Sequence, residues 1–150
     1  MFSVQCEDGV CGWVRDTPVG SDERVWLEHA VDLGIRFGLE VSDDPGCQML
    51  DFIFVSRAAE TLWAASPGSP HWRDLDVEAL FEVLDRMHMG ELRDNAIASL
   101  IAFTHFLSKH GYVTANEALV VRSRLDPHAP PLMLAMGYEP VPLPAHLRPS

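Results

Sequence analysis

Lysine is almost absent from this chain of 150 residues, since Lys109 is the only one and arginine supplies the other ten of its 11 basic side chains. They stand against 22 acidic side chains, which gives a formal net charge of −11 at pH 7. A negative field of this size repels phosphate backbones and anionic lipid headgroups, so it disfavours direct binding of nucleic acid or of a membrane surface. The field favours the binding of basic partners, although an acidic composition can also serve only to keep a protein soluble.

Cysteine is also scarce. The count is three, at Cys6, Cys11 and Cys47, and an odd number at these spacings does not predict a disulfide framework. Cys6 and Cys11 flank a predicted turn, but a structural zinc site needs four ligands, and no spacing brings Cys47 or a histidine to them. We therefore expect free thiols and no bound metal.

Long apolar runs are missing. Residues 1–8 have neither a basic region nor an apolar stretch, so we expect no secretory signal and a cytoplasmic protein. The longest stretch without formal charge is residues 95–108, which is too short to cross a bilayer.

Catalytic and cofactor motifs are absent as well. The chain has no Gly-x-Ser-x-Gly elbow, no Gly-x-Gly-x-x-Gly fingerprint and no Gly-Lys-Ser/Thr phosphate loop. Its acidic pairs lie on the polar sides of amphipathic helices, where solvation accounts for them. The sequence predicts no cofactor and favours a binding protein over an enzyme.

The apolar content of 47% and charged content of 22% are typical of a globular chain, and the length suits one domain over residues 1–150. Residues 1–16 alternate around Asp8-Gly9 and predict a short β-hairpin. Residues 21–125 predict a helical core. Residues 126–150 contain seven of the 11 prolines and predict a strap over the helices or a loose tail.

Hydrophobic periodicity and capping residues place five helices in this core. The first begins at the N-cap Ser21 and is expected to end at Gly38. The second covers about 47–65, although the apolar run 52–55 also resembles a buried strand. The third begins after Asp74 or Asp76 and reaches residue 89.

The fourth helix, 91–109, carries apolar residues around most of its circumference and is predicted to end at Gly111. The fifth begins at a capping box formed by Thr114 and Glu117 and stops near Leu125, ahead of a proline. The short connection predicts that these two helices pack as neighbours. The fold expected is mainly α: a bundle of about five helices with an N-terminal β-hairpin and a proline-rich C-terminal strap.

One weak chemical motif remains in the third helix. Asp85-x-x-His88 approximates the Glu-x-x-His pair of di-iron bundles, but it has aspartate for glutamate and no second copy. At the predicted helical spacing His88 falls on the apolar face, where a hydrogen-bonded core histidine is the commoner arrangement. A small metal- or ligand-binding bundle or enzyme using this pair is the alternative interpretation.

Trp72 stands in a proline-flanked loop beside His71 and Arg73. An exposed tryptophan marks many binding hot spots, so Trp72 is a candidate interface residue. Its more common place is against the core.

The strongest functional signal is the run of carboxylates in and before the third helix. Helical spacing places Glu78, Glu82 and Asp85 within about 60° of one another, where like charges repel by a few tenths of a kcal/mol per pair. Acidic pairs elsewhere add to the field. The predicted partner-binding residues are Trp72, Asp74, Asp76, Glu78, Glu82 and Asp85, together with Asp43 and Asp44.

The sequence therefore favours a non-catalytic acidic module that covers a basic surface on a partner protein. An immunity protein or antitoxin that neutralises a nuclease-like toxin is the concrete form of this hypothesis. A further alternative is a structural subunit whose C-terminal strap docks on a neighbour.

Overall fold

The computed structural model describes residues 17–140, which are mainly helical and contain no strand. The β-hairpin predicted for residues 1–16 lies outside the described residues. None of the helices between residues 17 and 140 has the length and apolarity that a membrane crossing needs. The helices are α1 (Asp22–Val41), α2 (Pro45–Ala65), α3 (Val77–Arg86), α4 (Arg93–Lys109), α5 (Ala115–Leu125) and the short α6 (Pro131–Ala135).

The chain divides into two compact units, residues 1–70 and 71–150. Within the described residues the first unit contains α1 and α2, and the second contains α3 to α6. The predicted mainly helical class is confirmed.

The first helix begins after Ser21, as its capping signal predicts, and the second begins at Pro45, two residues before the predicted start. The Ser21 hydroxyl accepts a hydrogen bond from the Arg24 amide at 3.2 Å, and the Asp44 carboxylate accepts one from the Cys47 amide at 2.8 Å. Pro45 follows Asp44 as the first helical residue, where its missing N–H costs nothing. These caps satisfy amides that have no partner within the helix.

Gly38 does not end α1, contrary to the prediction. The helix continues to Val41, and Gly38 is buried within it. A Cβ built on Gly38 would lie 3.1 Å from the carbonyl oxygen and 3.3 Å from the Cα of Gln48. Gly38 is therefore the place where the backbones of α1 and α2 approach closely, which explains the glycine without a helix end.

The apolar run Phe52-Ile53-Phe54-Val55 is helical, so the preference for helix over strand is confirmed. The ambiguity has a physical cause. Residues 54–59 of α2 are all buried, and a helix buried on every side loses the periodicity that separates helix from strand. Arg57 is among them at 3% exposure, and its Nη1 donates to both carboxylate oxygens of Glu60 at 2.9 and 3.0 Å.

In the second unit Asp76, one of the two predicted caps, begins α3 by accepting from the Glu78 amide at 2.9 Å. The other, Asp74, belongs to a separate 3₁₀ turn, Trp72–Asp74. Helix α3 ends at Arg86, three residues before the predicted end. Another 3₁₀ turn, Gly90–Leu92, leads into α4.

The connection between α4 and α5 follows the prediction closely. Gly111 has φ +80° and its amide donates to the Ser108 carbonyl at 3.2 Å, while the Tyr112 amide donates to the Leu107 carbonyl at 2.8 Å. This pair of bonds is the Schellman motif that ends many helices. The capping box of Thr114 and Glu117 forms in both directions, and α4 and α5 pack as neighbours.

Helix α5 also holds the segment that precedes α3. Arg124 Nη1 donates to the carbonyl oxygens of Arg73 at 2.8 Å and Leu75 at 3.2 Å. Arg73 Nη1 in turn donates to Glu117 Oε2 at 3.0 Å. These long-range contacts fix the start of α3 relative to α5.

The C-terminal strap does not use its large apolar residues to cover a seam. Leu132 is 70% exposed and Met136 is 79% exposed. The segment is nevertheless anchored, since Pro130 is buried and the Tyr138 hydroxyl donates to Asp126 Oδ1 at 2.6 Å. Docking of the strap on a neighbouring subunit stays a prediction.

We expect Gly38→Ala to lower the free energy of unfolding by about 1 to 3 kcal/mol, because the added methyl group meets backbone atoms of Gln48 that cannot move aside. Gly34→Ala is the matched control. Its methyl group meets the Phe52 ring at 3.1 Å, which can shift, and alanine favours the helix by about 1 kcal/mol. Urea unfolding followed by circular dichroism measures both variants. Equal stability of the two variants would contradict this account of Gly38.

Candidate functional site

Helix α3 separates its side chains by polarity. Val77, Leu80 and Leu84 are buried, the two leucines completely, whereas Glu78 and Glu82 on the other side are exposed. Burial of a leucine contributes about 1.5 to 3 kcal/mol, so the apolar residues fix the rotation of the helix. The two glutamates are one turn apart, about 6 Å along the axis. The structure thus places them together on one exposed face, as the spacing predicts.

The carboxylates before α3 extend this face. Asp74 and Asp76 are both exposed, although one oxygen of Asp76 is engaged by the Glu78 amide as the helix cap. We define the acidic surface as these four residues of the second unit: Asp74, Asp76, Glu78 and Glu82.

Arginines at the margins neutralise less of this surface than their positions in the sequence suggest. Arg73 points to Glu117, as described above, and Arg86 is exposed. Among residues 17–140, neither Glu78 nor Glu82 takes part in an ion pair. The two helical carboxylates therefore keep their full charge toward solvent.

Asp85 differs from the other residues of the predicted stripe. Arg93 Nη2 donates to its Oδ2 at 2.6 Å, with the two side chains about half exposed. Sequence reasoning missed Arg93, which follows eight residues later and beyond the end of the helix, so no helical spacing relates the pair. The Arg93 guanidinium also stacks over the Phe81 ring at 4.7 Å. Asp85 contributes less to the outward field than Glu78 or Glu82.

Asp43 and Asp44 belong to the first unit and are not part of the acidic surface as defined. Both are exposed. The hydrogen bond from the Cys47 amide lowers the pKa of Asp44 below its ordinary value, because it stabilises the charged carboxylate that caps α2. Capping of α2 is therefore sufficient to explain why an aspartate occupies position 44.

Trp72 is buried, so its assignment to an exposed interface is wrong. It is 4% exposed, and its ring meets that of Phe103 edge to face with 5.1 Å between centroids. The side chain folds back onto α4 because burial of a large aromatic surface outweighs its exposure in the loop. The alternative position against the core is the one observed.

The Asp85 and His88 pair does not form an interior site. His88 lies beyond the end of α3 and is exposed, so the core position predicted for it is wrong. It adopts φ 57°, and its amide donates to the Asp85 carbonyl while the Met89 amide donates to the Leu84 carbonyl. His88 occupies the left-handed position of a Schellman motif, which turns its side chain away from the buried face.

No group of three or more His, Cys, Asp or Glu side chains between residues 17 and 140 is arranged to hold a metal ion. The Cys47 thiol is exposed, and the hydrogen bond it donates to Asp44, together with the charge of that carboxylate, raises its pKa. A raised pKa reduces the thiolate fraction, which is the nucleophilic form.

Comparison of the chain with protein-family models, with curated proteins and with solved structures gave no match.

We expect His88→Gly to raise the free energy of unfolding by about 0.5 to 1 kcal/mol. The left-handed conformation costs an L-residue about 1 to 2 kcal/mol, and the greater entropy that glycine loses on folding offsets part of this gain. Glu82→Gly, at an exposed position in the interior of α3, is the control and lowers stability by about 1 kcal/mol. Chemical denaturation measures both, and a destabilised His88→Gly protein would show that the histidine side chain has a structural role.

We expect Asp44→Asn to speed alkylation of Cys47 at constant pH. Asparagine keeps the cap of α2 but removes the negative charge that disfavours the thiolate, so the pKa of Cys47 falls. Peptide-resolved mass spectrometry after timed iodoacetamide treatment separates Cys47 from Cys6 and Cys11. Asp43→Asn is the matched control, and an equal rate in both variants would refute the assignment to Asp44.

Proposed function

We propose that this chain is a non-catalytic protein that binds a basic partner through its acidic surface. The observation that supports this most strongly is the pair Glu78 and Glu82, exposed one turn apart without an ion pair among residues 17–140. Like charges at this spacing destabilise a helix by a few tenths of a kcal/mol. A cationic group of a partner placed between them converts that repulsion into attraction.

Rigidity favours the same function. Asp76 caps α3, and Leu80 and Leu84 hold it against the core, so the carboxylates are displayed from a fixed backbone. A preorganised surface loses less entropy on binding than a flexible one. The net charge of −11 adds long-range attraction that accelerates encounter with a basic protein.

The concrete form we propose is an inhibitor of the immunity or antitoxin kind, which covers the cationic cleft of a nuclease-like toxin. Such a cleft attracts phosphates, and exposed carboxylates on a short helix offer it charge of the same sign. The task needs no catalytic group of the inhibitor.

The decisive experiment measures the affinity of the full-length chain for its partner against ionic strength. The partner is captured at low salt on the immobilised chain, identified by mass spectrometry, expressed separately and titrated by calorimetry. We expect the affinity to fall steeply as salt is added, and Glu78→Gln/Glu82→Gln to weaken it by about tenfold at low salt.

The matched control is Glu91→Gln/Glu139→Gln, which changes the net charge equally at two exposed glutamates outside the acidic surface. It leaves the affinity within about twofold of the original. Binding that does not respond to salt, equal loss in both double variants, or failure to capture any basic protein would each overturn the proposed function.

A further inference from the structure

A groove of about 560 Å³ runs between α4 and α5 in the second unit. Its volume lies in the range of sites that hold small molecules. The greater part of its wall is apolar, formed by Ile101 and Ala102 of α4 and by Ala118 and Leu119 of α5. Small alanine side chains keep the groove open where the two helices face each other.

One end of the groove is cationic. Arg122 and Tyr138 line it, and no carboxylate is among the lining residues of the groove in the described chain. Arg122 Nη2 donates to the Tyr138 hydroxyl at 2.5 Å, and the guanidinium lies 5.4 Å from the centroid of the Tyr138 ring. Arg122 therefore places a guanidinium on the wall of a mostly apolar groove.

The hydrogen-bonding capacity of Arg122 is only partly used. Its Nε is buried and has no acceptor within the described part of the chain. Asp126, which is 4% exposed and does not line the groove, forms an ion pair with Arg122, with 3.7 Å between its Oδ2 and Nη2, a distance too long for a hydrogen bond. A buried N–H without an acceptor is costly, and a guanidinium binds planar carboxylates through paired N–H groups.

Tyr138 fixes the position of the Arg122 side chain at this end of the groove. Its hydroxyl donates to Asp126 Oδ1 at 2.6 Å, and burial together with that carboxylate raises its pKa, so the phenol stays protonated. Tyr138 thereby positions Arg122 from one side through Nη2.

From this charge complementarity we propose that the α4–α5 groove binds a small carboxylic acid with an apolar body. The carboxylate accepts hydrogen bonds from Arg122 at the cationic end, and the apolar part lies between Ala102, Ala118 and Leu119. This site is separate from the acidic surface on α3 and attracts a ligand of opposite charge to the partner proposed above, so the two proposals fail independently.

The test is calorimetric titration of the full-length protein with octanoate and, as a matched neutral probe, octanol. We expect saturable binding of octanoate with one site per chain and an affinity at least about tenfold above that of octanol, because a charge-assisted hydrogen bond is worth about one decade or more. Equal affinity for the two probes, or no saturable binding of octanoate up to millimolar concentration, would overturn the proposal.

Two variants locate the site. We expect Arg122→Gln to remove the preference for octanoate over octanol. Ala102→Leu should fill the apolar part of the groove and weaken the binding of both probes. Arg86→Gln, an exposed arginine on α3, is the control and leaves binding unchanged. Circular dichroism confirms that each variant is folded.

Three results contradict the assignment. They are undiminished selectivity in Arg122→Gln, unchanged affinity in Ala102→Leu, and a dimer in light scattering that Ala102→Leu converts to a monomer. The last result would assign the groove to a second copy of the chain.

Discussion

The burial of one side of α3 is the constraint on which the proposed binding surface depends. Leu80 and Leu84 are fully buried, and turning the helix to hide its carboxylates would expose them at a cost of about 1.5 to 3 kcal/mol each. The repulsion between Glu78 and Glu82 is an order of magnitude smaller than this. The packing of the two leucines therefore determines the direction of the carboxylates, and the small repulsion between the carboxylates is tolerated at the surface.

Arginine geometry decides which carboxylates of the second unit are engaged in ion pairs. Nearly every basic residue is arginine, whose planar fork of N–H donors suits defined partners. Arg93 engages Asp85, and Arg73 engages Glu117 across the second unit. These cations are committed within the protein, whereas Glu78 and Glu82 have no ion pair among residues 17–140.

The second unit displays side chains of two opposite chemistries. Carboxylates are displayed on α3, whereas the α4–α5 groove is lined by Arg122 and by no carboxylate within the described residues. A guanidinium beside apolar walls is only weakly screened by water, so its attraction for an anion is stronger than that of an exposed arginine. Net charge alone, at −11, predicts only the first of these chemistries.

The sequence by itself determined the helical class, the capped starts of α1 and α5 and the polarity of α3. Caps such as Ser21 and the Thr114 box depend on bonds within four residues, so local patterns reveal them. Tertiary structure alone decided that Gly38 is a contact between helices and that Trp72 is buried. Neighbours within four residues specify a cap, whereas burial and close approach depend on atoms far along the chain, which a local pattern does not contain.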